Sequence, residues 1–171
     1  MSFITQNVRV KINRSAEDVW NYVSNSKRWT ASTKENKGLK IKNKQEAIVQ
    51  GAKFKQQENV GRVSTSVDGK FMSVVKPKLV AWKGMATYEL FNGIIRIKLP
   101  EGGIFLLENE DNGTAFSHTV YVDFEDSLKG KLLYWYFKNV VKLDKALHRH
   151  NFQEFSYFQK KLGNSISASG A

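Results

Sequence analysis

His118 has the clearest position for chemistry in this sequence of 171 residues. Apolar residues alternate along residues 114–124, and His118 shares the parity of Phe116 and Val120. Residues two apart in a β-strand point to the same face, so we expect the imidazole to point into the protein. A buried imidazole requires a hydrogen-bond partner. Two interpretations therefore fit: a histidine satisfied within the core, and a histidine that contacts a ligand in a cavity.

The remaining histidines, His148 and His150, lie two positions apart in a segment with helical spacing. Their side chains should point about 200° apart around a helix, so this pair cannot share a metal ion. The chain has no cysteine, which excludes disulfides and thiolate metal sites. No glycine-rich phosphate loop, HExxH or Gly-x-Ser-x-Gly motif occurs in it. We therefore predict no metal site and no cofactor.

Residues 127–162 have a long helical pattern that no proline interrupts. One broad face of the predicted helix is apolar and comprises Leu128, Leu132, Trp135, Tyr136, Val140, Leu143 and Leu147. The opposite face carries Lys131, Lys138, Lys142 and Lys145. A continuous helix of this length would extend roughly 50 Å, so we expect it to lie across one broad sheet.

Most of the chain before this helix has the alternating pattern of β-strands. Residues 7–12 predict a first strand, Ser15 is expected to cap a short helix, and a second helical turn at 27–31 should bury Trp29. Further strands are predicted at residues 39–49, 52–67 (one or two strands), 71–75, 79–86, 94–99, 104–108 and 114–124. Turns between strands are predicted at Asp68-Gly69, Asn92-Gly93 and residues 111–113. The predicted class is α+β, with a curved antiparallel sheet of about seven strands around one long C-terminal helix.

Three stretches of the sequence carry a family resemblance: residues 8–29 (VRVKINRSAEDVWNYVSNSKRW), residues 74–84 (VVKPKLVAWKG) and Gly113-Thr114 before the last strand. They resemble the superfamily of the birch pollen allergen, the START lipid-transfer domains and the polyketide cyclases. The resemblance covers residues 5–162 and implies the helix-grip fold. We predict a single domain over residues 1–162 and a flexible tail over residues 163–171.

Members of this superfamily usually keep a deep apolar cavity between the curved sheet and the long helix. The resemblance therefore implies a binding site for a hydrophobic small molecule or lipid. The residues predicted to line this site are Trp82, Phe116, His118, Val120, Leu132, Trp135, Tyr136, Val140 and Leu143. The predicted function is non-covalent binding, and possible transport, of such a ligand.

Two alternative functions stay open. An enzyme resembling the polyketide cyclases and aromatases would orient a flexible chain and would need at least two titratable groups in the cavity. His118 is one such group, and Arg96, Glu108 and Tyr136 are further candidates. An interaction module resembling the chaperone activators of this superfamily would instead expose apolar patches on the sheet.

The positive charge is concentrated in one third of the chain. Residues 27–83 hold 14 Lys or Arg and 4 Asp or Glu, which accounts for nearly all of the net charge of +11. The alternating lysines, which we expect on the outer sheet face, are Lys40, Lys42, Lys44, Lys53 and Lys55. They fit a solvated sheet face, and they also fit weak contact with an anionic membrane surface. Nucleic acid is a less favoured partner because no recognition module occurs.

The sequence begins without the apolar segment of a secretory signal, and it contains no run of about 18 apolar residues. We therefore expect a cytoplasmic protein.

Overall fold

The computed structural model describes residues 2–43 and 46–163 and shows seven antiparallel strands in one curved sheet. The strands are β1 (Ser2–Ile12), β2 (Asn36–Lys42), β3 (Lys53–Val60), β4 (Val63–Val75), β5 (Leu79–Leu90), β6 (Ile95–Glu110) and β7 (Gly113–Phe124). Their order in the sheet is β1-β7-β6-β5-β4-β3-β2, so each strand from β2 to β6 pairs with the next in the chain, and β7 also pairs with β1. The helices are α1 (Ala16–Val23), α2 (Ser26–Thr30), α3 (Leu128–Tyr136) and α4 (Leu143–Gly163). The predicted fold class is therefore confirmed.

The first of the two short helices after β1 begins where the sequence predicts, and the second begins one residue earlier, at Ser26. The Ser15 hydroxyl oxygen accepts a hydrogen bond from the Asp18 amide at 3.2 Å and caps α1. The Asn25 side chain accepts from the Lys27 amide at 3.0 Å and caps α2. Caps of this kind each stabilise a helix by about 1 kcal/mol. Trp29 on α2 is buried, and its indole N–H donates to the Val23 carbonyl.

The prediction of one continuous helix over residues 127–162 is wrong, because the helix is interrupted at Lys142. After α3 comes one π-helical turn, Phe137–Val141, and Lys142 then adopts the left-handed conformation with a φ of 55°. Left-handed backbone costs a residue with a Cβ roughly 1–2 kcal/mol. Burial of Phe137 before the break and of Leu143 after it offsets that cost, since both side chains are fully buried.

The break also changes which side chains face the core, so the predicted apolar face is correct only in its last part. Leu143 is completely buried as predicted. Leu132, Trp135 and Val140 are instead 65%, 55% and 54% exposed, and Tyr136 is only partly buried. The π-helical turn and the left-handed residue rotate the two helices relative to each other, so one helical period cannot describe both.

The predicted turn at Asp68-Gly69 is also wrong, because both residues lie inside β4. The connection between β3 and β4 lies at Gly61 and Arg62 instead, and Gly61 has a φ of 64°. Gly69 has a packing role: a Cβ at this position would collide with the ring of Phe54 on the paired strand. A glycine that leaves space for a neighbouring ring cannot be distinguished from a turn glycine by the sequence alone.

Several strand boundaries also differ from the prediction. The strands predicted at residues 94–99 and 104–108 are one continuous strand, β6, which begins at Ile95 and passes through Pro100 without interruption. β2 ends at Lys42, before the end predicted at residue 49. The predicted turn at Asn92-Gly93 is confirmed between β5 and β6.

The C-terminal helix α4 packs against β1 and β3 and closes the core over the concave side of the sheet. Leu162 is buried and α4 ends at Gly163, whereas the rest of the predicted tail, residues 164–171, lies outside the described residues. Within the described ranges, no helix combines the length and the apolar character needed to cross a bilayer.

Candidate functional site

A cavity lies between the concave face of the sheet and α4. Strands β2 to β7 line it on the sheet side, and α4, α1 and α2 line it elsewhere. The cavity has a volume of about 70 Å³. One water molecule needs roughly 10–15 Å³ of such a volume, so the cavity has room for several waters or for one small ring system.

The structure brings together the four predicted site residues of the sheet. Trp82, Phe116, His118 and Val120 all line the cavity. The lining also includes Phe105 on β6, which the sequence analysis did not select.

The predicted site residues of the C-terminal segment do not reach the cavity. Leu132, Trp135 and Val140 are exposed and are not among the residues that line the cavity, so these three assignments are wrong. Tyr136 packs against the ring of Phe137, with ring centroids 6.0 Å apart. Leu143 is buried at the start of α4 but is not among the residues that line the cavity.

Three residues of α4 line the cavity in their place: Leu147, Asn151 and Glu154. They lie four and three positions apart, so they share one face of the helix. Both polar residues are buried. Their spacing of four and three residues is visible in the sequence, but the sequence analysis selected its helical site residues from 132–143 instead.

His118 lies among aromatic rings on the sheet side of the cavity. Its imidazole stacks on Phe105 with ring centroids 3.9 Å apart and planes 16° apart. Neither ring nitrogen has a hydrogen-bond partner among the described residues. Burial, with a smaller contribution from the positive charge of His150, lowers the pKa of His118 to about 3. The imidazole is therefore neutral at physiological pH and offers one donor and one acceptor.

Gly103 on β6 leaves the space that the edge of the His118 ring occupies. A Cβ at this position would lie 2.8 Å from His118 Nε2 and 2.8 Å from Trp82 Nε1. Contacts that short would force the two rings to move, so a glycine is required here to keep the polar edges of His118 and Trp82 close to the sheet.

Glu101 is a second titratable group in the cavity wall. Its carboxyl group is fully buried and accepts a hydrogen bond from the Tyr88 hydroxyl at 2.7 Å. Burial raises the pKa of Glu101 to about 8; the hydrogen bond from Tyr88 opposes the shift, and the negative charge of Glu58 adds to it. Glu101 is therefore mostly protonated at neutral pH.

A polar cluster of His150, Glu35, Glu58 and Glu154 lies at one end of the cavity, and all of these residues except Glu35 are buried. His150 Nδ1 lies 3.0 Å from a carboxylate oxygen of Glu35. His150 Nε2 lies 3.3 Å from a carboxylate oxygen of Glu58 and 3.6 Å from one of Glu154, within ion-pair range, but it has no hydrogen-bond partner among the described residues. Burial acts to lower the pKa of His150, but Glu58, Glu154 and Glu35 outweigh it and raise that pKa to about 10.

The carboxylate of Glu154 also has neutral partners. The Asn36 side-chain amide donates to it at 2.7 Å, and the Ser32 hydroxyl donates at 3.4 Å. Burial raises the pKa of Glu154 to about 7, and the nearby positive charge of His150 opposes the shift. The side-chain amide nitrogen of Asn151, one turn earlier, has no partner among the described residues. The cavity therefore has an apolar, aromatic part and a polar end.

Two further polar candidates from the sequence lie elsewhere. Arg96 is exposed and pairs with Glu89 at 3.0 Å. Glu108 is exposed and lies 3.5 Å from Arg9. Neither lines the cavity, so their suggested part in a cyclase-like site is wrong.

The lysines predicted on the outer face of the sheet are mostly exposed. Lys40, Lys42 and Lys53 are exposed, Lys55 is partly buried, and Lys44 lies outside the described residues.

Strand register places four lysines side by side across the sheet. Lys42 lies opposite Lys53, Lys53 opposite Lys70, and Lys70 opposite Lys83. Residues directly opposite each other point to the same face, and like charges in such pairs are destabilising. We call these four residues the lysine row.

Comparison with known proteins gives structural similarity without sequence similarity. No protein-family model matches the chain, and no curated protein sequence matches it. Among solved structures, the di-domain ARO/CYC StfQ from the steffimycin biosynthetic pathway superposes with a TM-score of 0.63 at 6% identity. The match covers 95% of this chain and 52% of StfQ, so the chain spans about half of that two-domain protein.

Two single-domain structures give the same result over nearly their whole length. Ara h 8.0201 has a TM-score of 0.62 at 10% identity, with 94% of this chain and 98% of that chain covered. A START superfamily protein from Mycobacterium smegmatis has a TM-score of 0.59 at 12% identity, with 92% and 98% covered. The chain has the helix-grip fold. The predicted resemblance is thus confirmed at the level of the fold, and identities this low establish nothing about the ligand or reaction of this helix-grip protein.

Proposed function

We propose that this protein binds a small, mostly apolar molecule non-covalently in the cavity between the sheet and α4. The observation that carries the proposal is the position of His118: a buried imidazole in the cavity wall whose two nitrogens have no partner among the described residues. A buried polar group without a partner costs about 1–3 kcal/mol, and a ligand with one polar group would recover that cost.

The cavity wall indicates the chemistry of this ligand. Phe105, Phe116 and Trp82 offer aromatic surfaces to a ring. Neutral His118 and protonated Glu101 can each bond a hydroxyl or carbonyl group, whereas a carboxylate ligand would meet the negative charge of Glu58. An uncharged ring compound with a single hydroxyl or carbonyl therefore fits better than an anion.

A pair of ligands that share a ring tests this proposal. Naphthalene and 2-naphthol differ by one hydroxyl, and the wild-type protein should bind both and prefer 2-naphthol. His118→Phe keeps a stacked ring but removes both nitrogens, so it should reduce that preference about tenfold while naphthalene affinity changes little. His148→Phe is the matched control, since His148 is exposed on α4.

Failure of either ligand to bind the wild-type protein would refute the ligand-binding proposal. If His118→Phe and the wild type prefer 2-naphthol equally, the cavity remains the proposed binding site, but His118 does not bond the hydroxyl group of the ligand.

An enzyme of the cyclase or aromatase kind is the second candidate function. His118 and Glu101 favour it, because both line the cavity and their pKa values are shifted in opposite directions, to about 3 and about 8. Protonated Glu101 would polarise one carbonyl oxygen by hydrogen bonding to it, and neutral His118 would orient a second carbonyl group in the same way. Turnover of a poly-β-ketone substrate that His118→Phe abolishes, with binding retained, would support this function.

The lysine row supports a further proposal about partners. Four like charges in cross-strand register favour weak contact with an anionic membrane surface, which would relieve their repulsion. A cytoplasmic location remains a prediction from the sequence.

A further inference from the structure

We propose that Glu58, His150 and Glu154 bind one divalent cation of the zinc type at the polar end of the cavity. One ligand atom from each residue lies within 4.8 Å of the other two, and all three side chains are buried. This inference differs from the expectation of no metal site and does not depend on the proposed ligand binding.

The spacing of the ligand atoms is close to that of a coordination shell. Two atoms bound to one ion at about 2.1 Å lie roughly 3.0–3.4 Å apart when the angle between them is near 90–109°. His150 Nε2 lies 3.3 Å from the Glu58 oxygen and 3.6 Å from the Glu154 oxygen. Small side-chain movements would therefore bring all three atoms onto one ion.

His150 is oriented as a metal ligand would be. Its side chain is only 2% exposed, and Nε2 points toward both carboxylates without a hydrogen-bond partner among the described residues. On the other side of the ring, Nδ1 lies 3.0 Å from Glu35. A carboxylate behind a histidine fixes the tautomer that leaves Nε2 free for the metal, an arrangement common around bound zinc.

The charges in this cluster also favour a cation. Three carboxyl groups surround one imidazole, and no lysine or arginine in the described parts of the chain forms an ion pair with Glu35, Glu58 or Glu154. Even a protonated His150 would balance only one carboxylate. A divalent cation would neutralise both Glu58 and Glu154, and buried carboxylates need such compensation.

The donor set indicates the kind of ion. One imidazole nitrogen and two carboxylate oxygens suit zinc and similar transition metals, whereas magnesium and calcium prefer oxygen ligands alone. The side chain of Glu35 is 28% exposed, so the cluster has a route to solvent. Glu58 and Glu154 also line the cavity, so a fourth coordination position would open toward it.

Equilibrium dialysis of the chelator-treated protein against zinc, followed by elemental analysis, tests the site. We expect one zinc per chain, and an equal concentration of magnesium should not displace it. In wild-type protein labelled with ¹⁵N-histidine, zinc should shift the ring resonances of His150 and leave those of His148 and His118 in place. These readouts use the wild-type chain and do not depend on whether any variant folds.

Matched variants locate the ion. Glu154→Gln and His150→Gln should each weaken zinc binding at least tenfold, and Glu35→Gln should weaken it about 10–100-fold through the orientation of His150. His148→Gln, two residues from His150 but exposed, should bind zinc as the wild type does. Zinc binding below one equivalent, His150 resonances that zinc does not shift, or binding that His148→Gln removes would overturn the proposal.

Discussion

Replacing Glu101 with glutamine should remove a loss of stability that the wild-type protein undergoes as the pH rises. Burial holds the pKa of Glu101 near 8 in the folded protein, against 4.5 for an ordinary glutamate. Between these two values the unfolded chain releases the proton while the folded protein keeps it. The folded state then binds more protons, so the free energy of unfolding falls as the pH rises from about 4.5 to about 8.

The size of this effect follows from the two pKa values. Each unit of difference corresponds to 1.36 kcal/mol, so the full loss approaches roughly 5 kcal/mol above pH 8. Glutamine cannot ionise, and its side-chain oxygen can still accept the hydrogen bond from Tyr88. The free energy of unfolding of Glu101→Gln should therefore rise relative to the wild type by several kcal/mol between pH 5 and pH 8.5. The opposite pH dependence expected from His118 is present in both proteins and cancels in the difference.

Urea unfolding at a series of pH values, followed by circular dichroism in the presence of a chelator, measures this difference. Glu108→Gln is the control, because Glu108 is exposed and its surface ion pair should contribute less than about 1 kcal/mol at any pH. A difference between Glu101→Gln and the wild type that stays constant from pH 5 to pH 8.5 would refute the reasoning, since Glu101 would then not hold its proton in the folded state.

Three further predictions concern the C-terminal helices and the lysine row. Leu143→Ala should lower the free energy of unfolding in urea by about 2–5 kcal/mol, because Leu143 is fully buried. Leu132→Ala should lower it by less than about 1 kcal/mol, because Leu132 is exposed. A loss of less than about 0.5 kcal/mol in Leu143→Ala would contradict the docking of α4 at Leu143. In thermal unfolding, Lys142→Gly should leave the stability unchanged or raise it by up to about 1 kcal/mol, because glycine adopts the left-handed backbone conformation freely. A clear loss of stability in this variant would argue against a left-handed residue at position 142. Lys53→Glu should weaken flotation with anionic liposomes at low salt more than Lys160→Glu does, and binding that is absent or insensitive to salt would rule out the electrostatic contact.

Local patterns in the sequence were sufficient for much of the fold. The alternation along β7 correctly places Phe116, His118 and Val120 on the inner face, because one parity of a strand in a one-sided sheet is buried. The predicted cap at Ser15 lies where a short polar side chain precedes a helical segment. These features depend on neighbours within a few residues.

The errors arise where distant contacts decide the local conformation. The left-handed backbone at Lys142 has no sequence signal, since lysine is an ordinary helix residue and only burial on both sides of it favours the break. Gly69 resembles a turn glycine, but its role is to admit the ring of Phe54 from the paired strand. A single sequence does not show which distant ring approaches a glycine.

The polar cluster was partly visible in the sequence. His150 and Glu154 are four residues apart and so share one face of a helix, a spacing that the comparison of His148 with His150 overlooked. Glu58 and Glu35 come from a strand and a loop about a hundred residues earlier, and only the fold brings them to the helix. Histidine spacing alone therefore could not reveal this cluster.

Titration of the purified protein with an apolar fluorescent probe tests the central claim most directly. The wild type should bind the probe saturably at about one site. Val120→Trp places an indole in the cavity wall and should weaken binding at least tenfold, and Val80→Phe offers a second block if the first variant is poorly folded. Val140→Trp, on the exposed π-helical turn, should bind as the wild type does. If the wild type does not bind the probe, or both cavity variants bind it equally well, the space beneath α4 is solid core and an interaction module becomes the better account.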